Sequence, residues 1–445
     1  MISKEAIAGF VNDVIPAYTY NSKTFIPGKT QVYYSGPYWD HRELIAAINA
    51  LVNGKWLVAG DHVHHFQHAF AKKFNHAYSH MVNSGSSANL VMIAALKKHF
   101  GWADGDEIIV SPVGFPTTVT AIVQNNLRPV FADIEMNTLN VDLTRMTEKI
   151  SPRTRGIFVS PVLGNPGDMD LLQAIAEAHQ IEIIGDNCDS LGSRWNGKPL
   201  TDYYVASSCS FYPAHHITTG EGGMVSTDIK AVADLARSIS WWGRDCLCVG
   251  AANLLPCGTC GNRFDKWLDD FDGVIDHKYV FTNMGYNLKP LDLQGAIGLV
   301  QLEKFDEIER HRKRSKATID LLIRKYISGV RIADQLKKAD TSWFGVPLIC
   351  ESQDLKEKLV QFLEDNKIQT RSYFAGNILL HPAFRHLGDY RLYPNANKTL
   401  SHVFFIGSAP HYGSEIFDYF ETVFRQWPAC YKTTVNKAVG YSNVI

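Results

Sequence analysis

The chain has 445 residues, of which 45% are hydrophobic and 20% are charged, and this ordinary globular balance excludes a mostly disordered protein. Lys and Arg number 44 against 45 Asp and Glu, so the net charge of −1 produces no general field for binding nucleic acid or an anionic membrane. No apolar run reaches the ~18 residues of a membrane-spanning helix, and we expect a soluble, cytoplasmic protein of two or more domains.

The first predicted element is an amphipathic helix, because residues 1–18 carry Glu5 and Asp13 and lack the apolar core of a signal peptide. From about residue 80 to residue 240, apolar runs alternate with helical patterns, which is typical of a sheet built from βαβ units. The predicted strands cover 107–113, 128–134, 156–162, 181–186, 205–211 and 222–227. The predicted helices between them cover 88–100, 116–126 and 168–179.

The second half of the chain departs from this alternation. Residues 246–283 are rich in Gly, Asp and Cys and indicate a long irregular insertion, which in a compact domain usually has a function. A helix is predicted over 290–323, followed by a strand within 342–350 and a helix over 355–366. We therefore expect an α/β protein in three parts. These are an N-terminal segment over 1–50, a large domain over 51–310 with the Cys-rich insertion at about 244–282, and a small α+β domain over 311–445.

The cysteines are too sparse for a disulfide scaffold, since the chain has only eight. Four of them, Cys246, Cys248, Cys257 and Cys260, fall within one stretch of 15 residues. In a reducing compartment a thiol-rich loop is typical of a metal or iron–sulfur site. Thiols without a ligand are the alternative interpretation.

Two features indicate a phosphorylated, ring-containing ligand. Gly85 and Ser86 lie in a Gly/Ser turn that leads into a predicted helix, and such a turn offers backbone N–H groups and hydroxyls to a phosphate. Asp186 ends an apolar strand, where open α/β sheets place ligand-binding groups, and its carboxylate can hold a protonated ring nitrogen. Each feature also has a structural interpretation, as a helix cap and as a turn residue.

The stretch 210–223 combines a strand end, the pair His215 and His216, and a glycine-rich turn. Adjacent side chains on an extended chain point in opposite directions, so at most one of the two histidines can face a ligand.

In their order along the chain, these motifs resemble the nucleotide-sugar aminotransferase family of pyridoxal-phosphate (PLP) enzymes. The resemblance runs over roughly residues 25–425 and includes Gly-Asn-Pro at 164–166, Asp168, and Gly-Tyr-Asn at 285–287. It implies the aspartate-aminotransferase fold (fold type I), with a large cofactor-binding domain and a smaller C-terminal domain.

One position departs from the family's pattern Ser-Phe-x-x-x-Lys-x-x-x-x-Gly-Glu-Gly-Gly, because His215 stands where that pattern has the Schiff-base lysine. An imidazole cannot form this bond, although it can move a proton near neutral pH. The cofactor is therefore expected to bind non-covalently as pyridoxamine 5′-phosphate (PMP). The same replacement is found in the PMP-dependent sugar 3-dehydratases, which the chain resembles.

The cysteines resemble those of the iron–sulfur branch of these dehydratases, whose substrate is CDP-4-keto-6-deoxy-D-glucose. The resemblance implies a 2Fe–2S cluster on Cys188, Cys246, Cys248 and Cys260, with Cys257 as the alternative fourth ligand. A structural zinc ion on the same thiolates is the competing interpretation. We favour the cluster because Cys188 follows Asp186 closely, where a redox centre can deliver electrons to the cofactor.

The resemblance also implies contacts to the cofactor and the substrate. The phosphate contacts are Gly85, Ser86 and Ser210, together with Asn287 from the neighbouring subunit of a homodimer. The ring contacts are Phe115 and Asp186. The catalytic residue is His215. Candidate contacts to the sugar nucleotide are Trp56–Leu57, Trp343–Phe344 and 371–377.

The implied activity is removal of the C3 hydroxyl from a nucleotide-linked 4-keto-6-deoxyhexose, with electrons from a separate NAD(P)H-dependent flavin/iron–sulfur reductase. Two alternatives stand beside it. One is a cluster-free GDP-4-keto-6-deoxymannose 3-dehydratase, and the other is a non-catalytic sugar-nucleotide-binding protein with structural zinc. An ordinary aminotransferase would need a Schiff-base lysine elsewhere in the chain.

Overall fold

A computed structural model describes residues 2–15, 24–246 and 263–440, the stretch 428–440 as backbone only. Its helices are α1 (Lys4–Val14), α2 (His41–Asn53), α3 (Asp61–Lys73), α4 (Gly85–Phe100), α5 (Pro116–Gln124), α6 (Leu143–Thr147), α7 (Met169–His179), α8 (Lys230–Ser240), α9 (Asp292–Glu303), α10 (Phe305–Tyr326), α11 (Gln353–Asp365), α12 (Pro394–His402) and α13 (Ser414–Gly440). Its strands are β1 (Tyr78–Val82), β2 (Glu107–Val110), β3 (Arg128–Phe131), β4 (Thr154–Val159), β5 (Glu182–Asp186), β6 (Arg194–Trp195), β7 (Lys198–Pro199), β8 (Ala206–Ser210), β9 (Gly223–Thr227), β10 (Phe264–Asp265), β11 (Ile275–Asp276), β12 (Val330–Ile332), β13 (Ala339–Asp340), β14 (Gly345–Cys350), β15 (Thr370–Ser372) and β16 (Val403–Gly407).

The main sheet has seven strands in the order β1-β9-β8-β5-β4-β2-β3. The pairs from β8 to β3 are parallel, and β9 runs antiparallel to both of its neighbours. Successive residues of β5 pack into different hydrophobic cores, since Ile184 belongs to one core and Ile183 to another. Both faces of the sheet are therefore buried, as expected for parallel strands. The predicted α/β class with a mainly parallel sheet is confirmed.

All six predicted strands are present, and the structure adds β1 at the edge of the sheet. This strand lacks the long apolar run of the others because it contains Ser79 and His80. The single helix predicted over 290–323 is wrong, since the structure has two helices, α9 and α10, that meet at Lys304. Lysine is a good helix former, so the sequence carries no sign of this junction.

A second, four-stranded sheet forms in the last third of the chain, in the order β12-β14-β16-β15, with every pair antiparallel. Residues of α10, α11 and α13 bury a separate core against it, in which Phe404 and Phe420 are almost fully enclosed. Val32 forms a parallel bridge with Ile368, so the segment before α2 is attached to this sheet. The domain boundaries given above stay a prediction.

The described part of the insertion, 263–283, combines contacts within itself with a few polar contacts to the main body, such as that of Asn283 Nδ2 with Ser238 Oγ at 2.8 Å. Strands β10 and β11 pair with each other, and the ring of Trp267 stacks on His277 with 3.8 Å between the ring centres. His277 Nε2 lies 2.7 Å from Asp245 Oδ2, just after α8. Residues 247–262 lie outside the described residues. None of the helices that the structure describes is long and apolar enough to cross a lipid bilayer.

A buried ion pair fixes α2 against the junction of α9 and α10. Lys304 Nζ lies 2.7 Å from Glu43 Oε1 and 3.1 Å from Asp40 Oδ2, and the side chains of Lys304 and Glu43 are at most 1% exposed. Gln301 Nε2 donates a further hydrogen bond to Glu43 Oε1 at 2.7 Å. Removing one partner of such a pair leaves a buried charge without compensation.

We expect Glu43→Gln to lower the free energy of unfolding by about 3 kcal/mol, because the buried ammonium of Lys304 then loses its buried negative partner and keeps only the partly exposed carboxylate of Asp40. The matched control is Arg42→Gln. Arg42 pairs with Asp40 at 2.7 Å with 52% of its side chain exposed, and its loss should cost less than ~1 kcal/mol. Urea and thermal denaturation measure both variants, and equal effects would contradict the role given to the buried pair.

Candidate active site

The start of α4 forms a tight cradle beside the end of β8. Ser84 caps the helix, with its Oγ accepting a hydrogen bond from the backbone N–H of Ser87 at 3.1 Å. A Cβ atom on Gly85 would lie 2.5 Å from Ser210 Cβ and 3.1 Å from Cys188 Sγ, so this position requires glycine. Ser86 is exposed at the first turn, where backbone N–H groups have no partner within the helix. Such a helix terminus suits an anion.

Asp186 lies at the carboxyl end of β5 and is buried. Its Oδ2 accepts hydrogen bonds from Asn89 Nδ2 at 2.9 Å and from Thr118 Oγ1 at 2.6 Å, and its Oδ1 accepts one from the backbone N–H of Cys188 at 3.3 Å. These contacts fix the orientation of the carboxylate. The sequence reasoning missed Asn89 and Thr118, although each is a polar residue on the buried face of a helix, which is a usable signal.

His215 lies against an acidic side chain in the turn after β5. Its Nδ1 is 3.6 Å from Asp189 Oδ1, and its ring centre is 5.2 Å from that of Phe344. Burial and the nearby charge of Arg312 lower the pKa of His215 to about 3. Burial and the charge of Asp186 raise the pKa of Asp189 to about 7. Slightly below pH 7 the contact therefore joins two neutral groups rather than an ion pair.

Arg312 of α10 holds the backbone of the histidine segment. Its guanidinium is fully buried and donates hydrogen bonds to the carbonyls of Ala214 at 2.9 Å, His215 at 3.0 Å and Phe344 at 3.1 Å. His216 has a different partner, because its Nε2 lies 2.9 Å from the carbonyl oxygen of Ser342. The two histidines thus diverge, and the sequence carries no signal for Arg312.

Aromatic side chains line the other side of the site. Phe115, just before α5, is 54% exposed, and its ring centre is 6.4 Å from that of Phe374. The N–H of Ala375 donates a hydrogen bond to the carbonyl of Gly114 at 3.3 Å, so the segment 371–377 runs beside Phe115. Trp343–Phe344 are buried core residues, which does not suit the substrate contact expected of them.

Asn287 lies on an exposed surface before α9. Its Oδ1 accepts a hydrogen bond from the ammonium of Lys289, which stands 3.2 Å from the ring centre of Trp242. Arg244 also approaches this ring, at 4.6 Å. Burial and the charge of Arg244 lower the pKa of Lys289 to about 8. The sequence analysis did not predict that Lys289 and Arg244 both lie against the ring of Trp242.

The predicted cluster ligands are described only in part. Cys188 is partly buried beside Asp186, and the loss of solvent around its thiol and the carboxylate raise the pKa of that thiol well above the ordinary value. Cys246 is buried next to Trp241 in a hydrophobic core. Cys248 and Cys260, and the alternative Cys257, lie outside the described residues. Within the ranges that the structure covers, no group of three or more His, Cys, Asp or Glu residues could hold a metal ion.

Comparison with known proteins identifies the family. Residues 39–421 match the DegT/DnrJ/EryC1/StrS aminotransferase family. The chain belongs to this family. It is therefore an enzyme of this family, whose members include sugar 3-dehydratases as well as aminotransferases.

Three relatives illustrate the similarity. The dTDP-4-dehydro-2,6-dideoxy-D-glucose 3-dehydratase of Saccharopolyspora spinosa is 37% identical over 410 residues, which cover 89% of this chain and 87% of the relative. The lipopolysaccharide biosynthesis protein RfbH of Salmonella typhimurium is 33% identical over 436 residues, or 95% of this chain and 96% of the relative. The GDP-4-keto-6-deoxy-D-mannose 3-dehydratase of Yersinia pseudotuberculosis is 34% identical over 359 residues, or 80% and 87%.

A solved structure of E. coli GDP-4-keto-6-deoxy-D-mannose-3-dehydratase with bound hydrated PLP is similar to this fold with a TM-score of 0.76. The two are 29% identical, and the match covers 88% of this chain and 98% of that chain. The predicted fold type I, aspartate-aminotransferase-like architecture is confirmed by this likeness.

The imidazole of His215 should remain unprotonated from pH 8 down to pH 5, because burial and Arg312 hold its pKa near 3. Histidine Cε1–H NMR of selectively labelled protein measures this, and the missing signal of His215→Gln assigns the resonance. A titration of the His215 signal between pH 6 and 7 would contradict the prediction.

Proposed function

We propose that this enzyme removes the C3 hydroxyl of a nucleotide-linked 4-keto-6-deoxyhexose, with PMP as its cofactor. The observation that carries the proposal is His215, a half-buried, neutral imidazole in the segment where aminotransferases of the family have their Schiff-base lysine. An imidazole can move a proton but cannot tether an aldehyde covalently. Three relatives above 30% identity bear the name of sugar 3-dehydratases, which supports the same reaction class.

The residues around the cradle fit a phosphorylated pyridine. Gly85, Ser86 and Ser210 would hold the phosphate, because the glycine leaves space at the helix start and the two serines supply hydroxyls. Asp186 would hold the protonated ring nitrogen, since its carboxylate is already oriented by two side-chain donors. Phe115 is exposed enough to stack on the ring.

When bound, PMP supplies an amine that condenses with the sugar ketone and a ring that accepts electrons. His215 would take the proton from C4′ of the cofactor, because its imidazole is unprotonated at neutral pH and has a nitrogen lone pair that can accept one. Arg312 keeps the backbone of His215 in place through two carbonyl hydrogen bonds in that segment. Asp186 keeps the ring nitrogen charged by offering it a fixed carboxylate.

We also propose CDP-4-keto-6-deoxy-D-glucose as the substrate and a 2Fe–2S cluster on Cys188, Cys246, Cys248 and Cys260 as the electron donor. The position of Cys188 Sγ beside Gly85 supports delivery of electrons close to the cofactor. The relative that matches 95% of this chain, a lipopolysaccharide biosynthesis protein, supports a role in O-antigen sugar formation. A separate NAD(P)H-dependent flavin/iron–sulfur reductase would supply the electrons. Thiolate ligands of this kind need a reducing compartment, which supports a cytoplasmic location.

A homodimer follows from the role given to Asn287, which would reach the cofactor phosphate of the neighbouring subunit. Its segment presents a large apolar surface, since Met284 is fully exposed and Tyr286 and Leu291 are 41% and 45% exposed. Exposed apolar patches of this kind are typical of subunit interfaces. The ammonium of Lys289 beside Asn287 would add positive charge for a phosphate.

Two alternative functions predict different experimental results. A cluster-free GDP-4-keto-6-deoxy-D-mannose 3-dehydratase is supported by the Yersinia relative and would need no iron. A sugar-nucleotide-binding protein with structural zinc would bind the substrate without an absorbance change in the PMP-loaded protein. We favour the iron-dependent enzyme because Cys188 lies next to the cradle, where a structural zinc ion has no evident purpose.

The variant His215→Asn should keep PMP bound while turnover falls by roughly 10²–10⁴-fold, because the base is lost and the cradle is not. The measurements are the cofactor absorbance after gel filtration and the release of the 3-deoxy sugar. Borohydride reduction of the PLP form tests the same claim separately, since wild-type protein should yield no covalent adduct. Retained turnover in the variant, or a trapped adduct in the wild type, would overturn the proposal.

The anaerobically purified protein should contain about two iron and two sulfide ions per chain and show the visible absorbance of a 2Fe–2S cluster. Cys260→Ala should lose the iron, whereas the matched control Cys257→Ala should keep it. If Cys257→Ala loses the iron and Cys260→Ala keeps it, the fourth ligand is Cys257 and not Cys260. Zinc in place of iron would contradict the redox role proposed for the cysteines. The absence of any metal would favour the cluster-free alternative.

A further inference from the structure

Arg371 of β15 projects from the face of the four-stranded sheet that is turned towards the main sheet. β15 pairs with β16 so that Arg371 lies opposite Phe405. Residues directly opposite each other on paired strands project from the same face of a sheet. Phe405 belongs to the hydrophobic core of the main sheet, whereas its neighbours Phe404 and Ile406 belong to the separate core of the four-stranded sheet. The side chain of Arg371 is therefore on the side of the active site.

The guanidinium of Arg371 is exposed and has no acidic partner among the residues that the structure describes. It stacks on the ring of Tyr34, with its central carbon 4.5 Å from the ring centre, and donates a hydrogen bond to the carbonyl of Thr370 at 2.8 Å. Several other exposed arginines pair with a carboxylate, as Arg324 does with Asp320 at 2.8 Å. A guanidinium has five N–H donors, so most of those of Arg371 are available to a ligand.

Aromatic rings connect this guanidinium to the active site. The ring centre of Tyr34 is 6.4 Å from that of Phe344, and the ring centre of Phe344 is 5.2 Å from that of His215. Phe374, three positions after the arginine, has its ring centre 6.4 Å from that of Phe115. The guanidinium therefore lies at the edge of the site that contains the candidate base and the candidate ring contact.

Two phenol hydroxyls lie at the same edge of the site. Burial raises the pKa of Tyr34, the charge of Arg371 opposes this rise, and Tyr212 and Asp189 add to it. Charges act in this way only over short distances, so the hydroxyl of Tyr34 lies close to these three side chains. Tyr212 is 49% exposed, and its ring centre is 6.3 Å from that of His215. The Tyr34 hydroxyl keeps its proton at neutral pH and can donate a hydrogen bond beside the guanidinium.

The chemistry of the proposed substrate decides what an arginine at this edge can bind. The C4 ketone has to reach the cofactor next to His215, and C1, which carries the diphosphate, then lies on the far side of the sugar ring. The sugar and the base are uncharged, so the diphosphate is the anionic part of the molecule. A planar guanidinium forms two parallel hydrogen bonds to phosphate oxygens, and exposed arginines without a carboxylate partner are suited to this contact.

We propose that Arg371, stacked on Tyr34, binds the diphosphate of the nucleotide sugar, with the hydroxyls of Tyr34 and Tyr212 as further donors. This inference rests on the proposed function and names the residue that recognises the charged part of its substrate. It assigns Arg371 to substrate binding, separate from the cofactor contacts and from the proton transfer at His215. The rival ligand is the carboxylate of an amino acid that would convert bound PLP to PMP.

Isothermal titration calorimetry of the full-length, PMP-loaded protein with CDP, GDP and dTDP tests the proposal. Arg371→Gln should bind the nucleotide that the wild type prefers roughly 10–100-fold more weakly, because hydrogen bonds between two charged groups are lost. Arg371→Lys keeps the charge without the planar fork and should have an intermediate affinity. Arg324→Gln is the matched control, since it removes an exposed arginine of α10 that pairs with Asp320, and it should bind as the wild type does.

Binding is measured without turnover, so this test and that of the proposed reaction can fail separately. His215→Asn should bind the nucleoside diphosphate as the wild type does, even though its turnover is lost. The cofactor absorbance of Arg371→Gln after gel filtration should equal that of the wild type, which shows that the variant folds and keeps PMP.

Four outcomes would overturn the assignment of Arg371 to the diphosphate. They are an unchanged nucleotide affinity in Arg371→Gln, an equal loss of affinity in Arg324→Gln, a loss of PMP from Arg371→Gln, and a wild type that binds none of the three nucleotides. Glutamate added to the PLP form tests the rival ligand. A slower formation of PMP in Arg371→Gln together with wild-type nucleotide affinity would assign Arg371 to the amino-acid carboxylate instead.

Discussion

The buried guanidinium of Arg312 is the interaction on which the arrangement of the site depends. It binds the carbonyls of Ala214, His215 and Phe344 and lies 3.3 Å from the hydroxyl of Ser35, so it joins four parts of the chain. Burial lowers its pKa only to about 10, and the group stays charged at neutral pH. A buried cation is tolerated here because carbonyl oxygens replace the water that it loses. The histidine segment is consequently held by α10 rather than by its own secondary structure.

The same charge also acts on the chemistry of the site. The loss of solvent around His215 and the fixed charge of Arg312 both make a second positive charge unfavourable, and they lower the pKa of the imidazole so that it stays neutral. Burial and the charge of Asp186 raise the pKa of Asp189, whose carboxyl group therefore gains a proton more readily. One side of the site thus holds a neutral imidazole, and the end of β5 holds an oriented carboxylate. This division is what a cofactor with a protonated ring and an acidic carbon requires.

Membership of an aminotransferase family is compatible with a proposed dehydratase reaction, because one fold can support different reactions. The scaffold is shared with aminotransferases, and the chemistry is decided by single positions at the carboxyl ends of the strands. The Cys-rich insertion lies between α8 and α9, so it adds a segment without changing the order of the main sheet. Its described part contains one short strand pair of its own and is anchored by polar contacts, such as those of His277 with Asp245 and of Asn283 with Ser238. A redox site could therefore be added to this fold with little cost to the core.

The sequence by itself determined the α/β class, six strands of the main sheet and the positions of the motif residues, because apolar periodicity and strand-end chemistry are local properties. It could not reveal the partners of Asp186, since Asn89 and Thr118 are 97 and 68 residues away along the chain. The sequence also could not reveal the role of Arg312, because this residue looks like any other charged residue of an amphipathic helix. Its hydrogen bond to the carbonyl of His215 joins residues 97 positions apart. Only tertiary packing decides such contacts, because they depend on which helix faces cover the sheet and on what each buried polar group finds there.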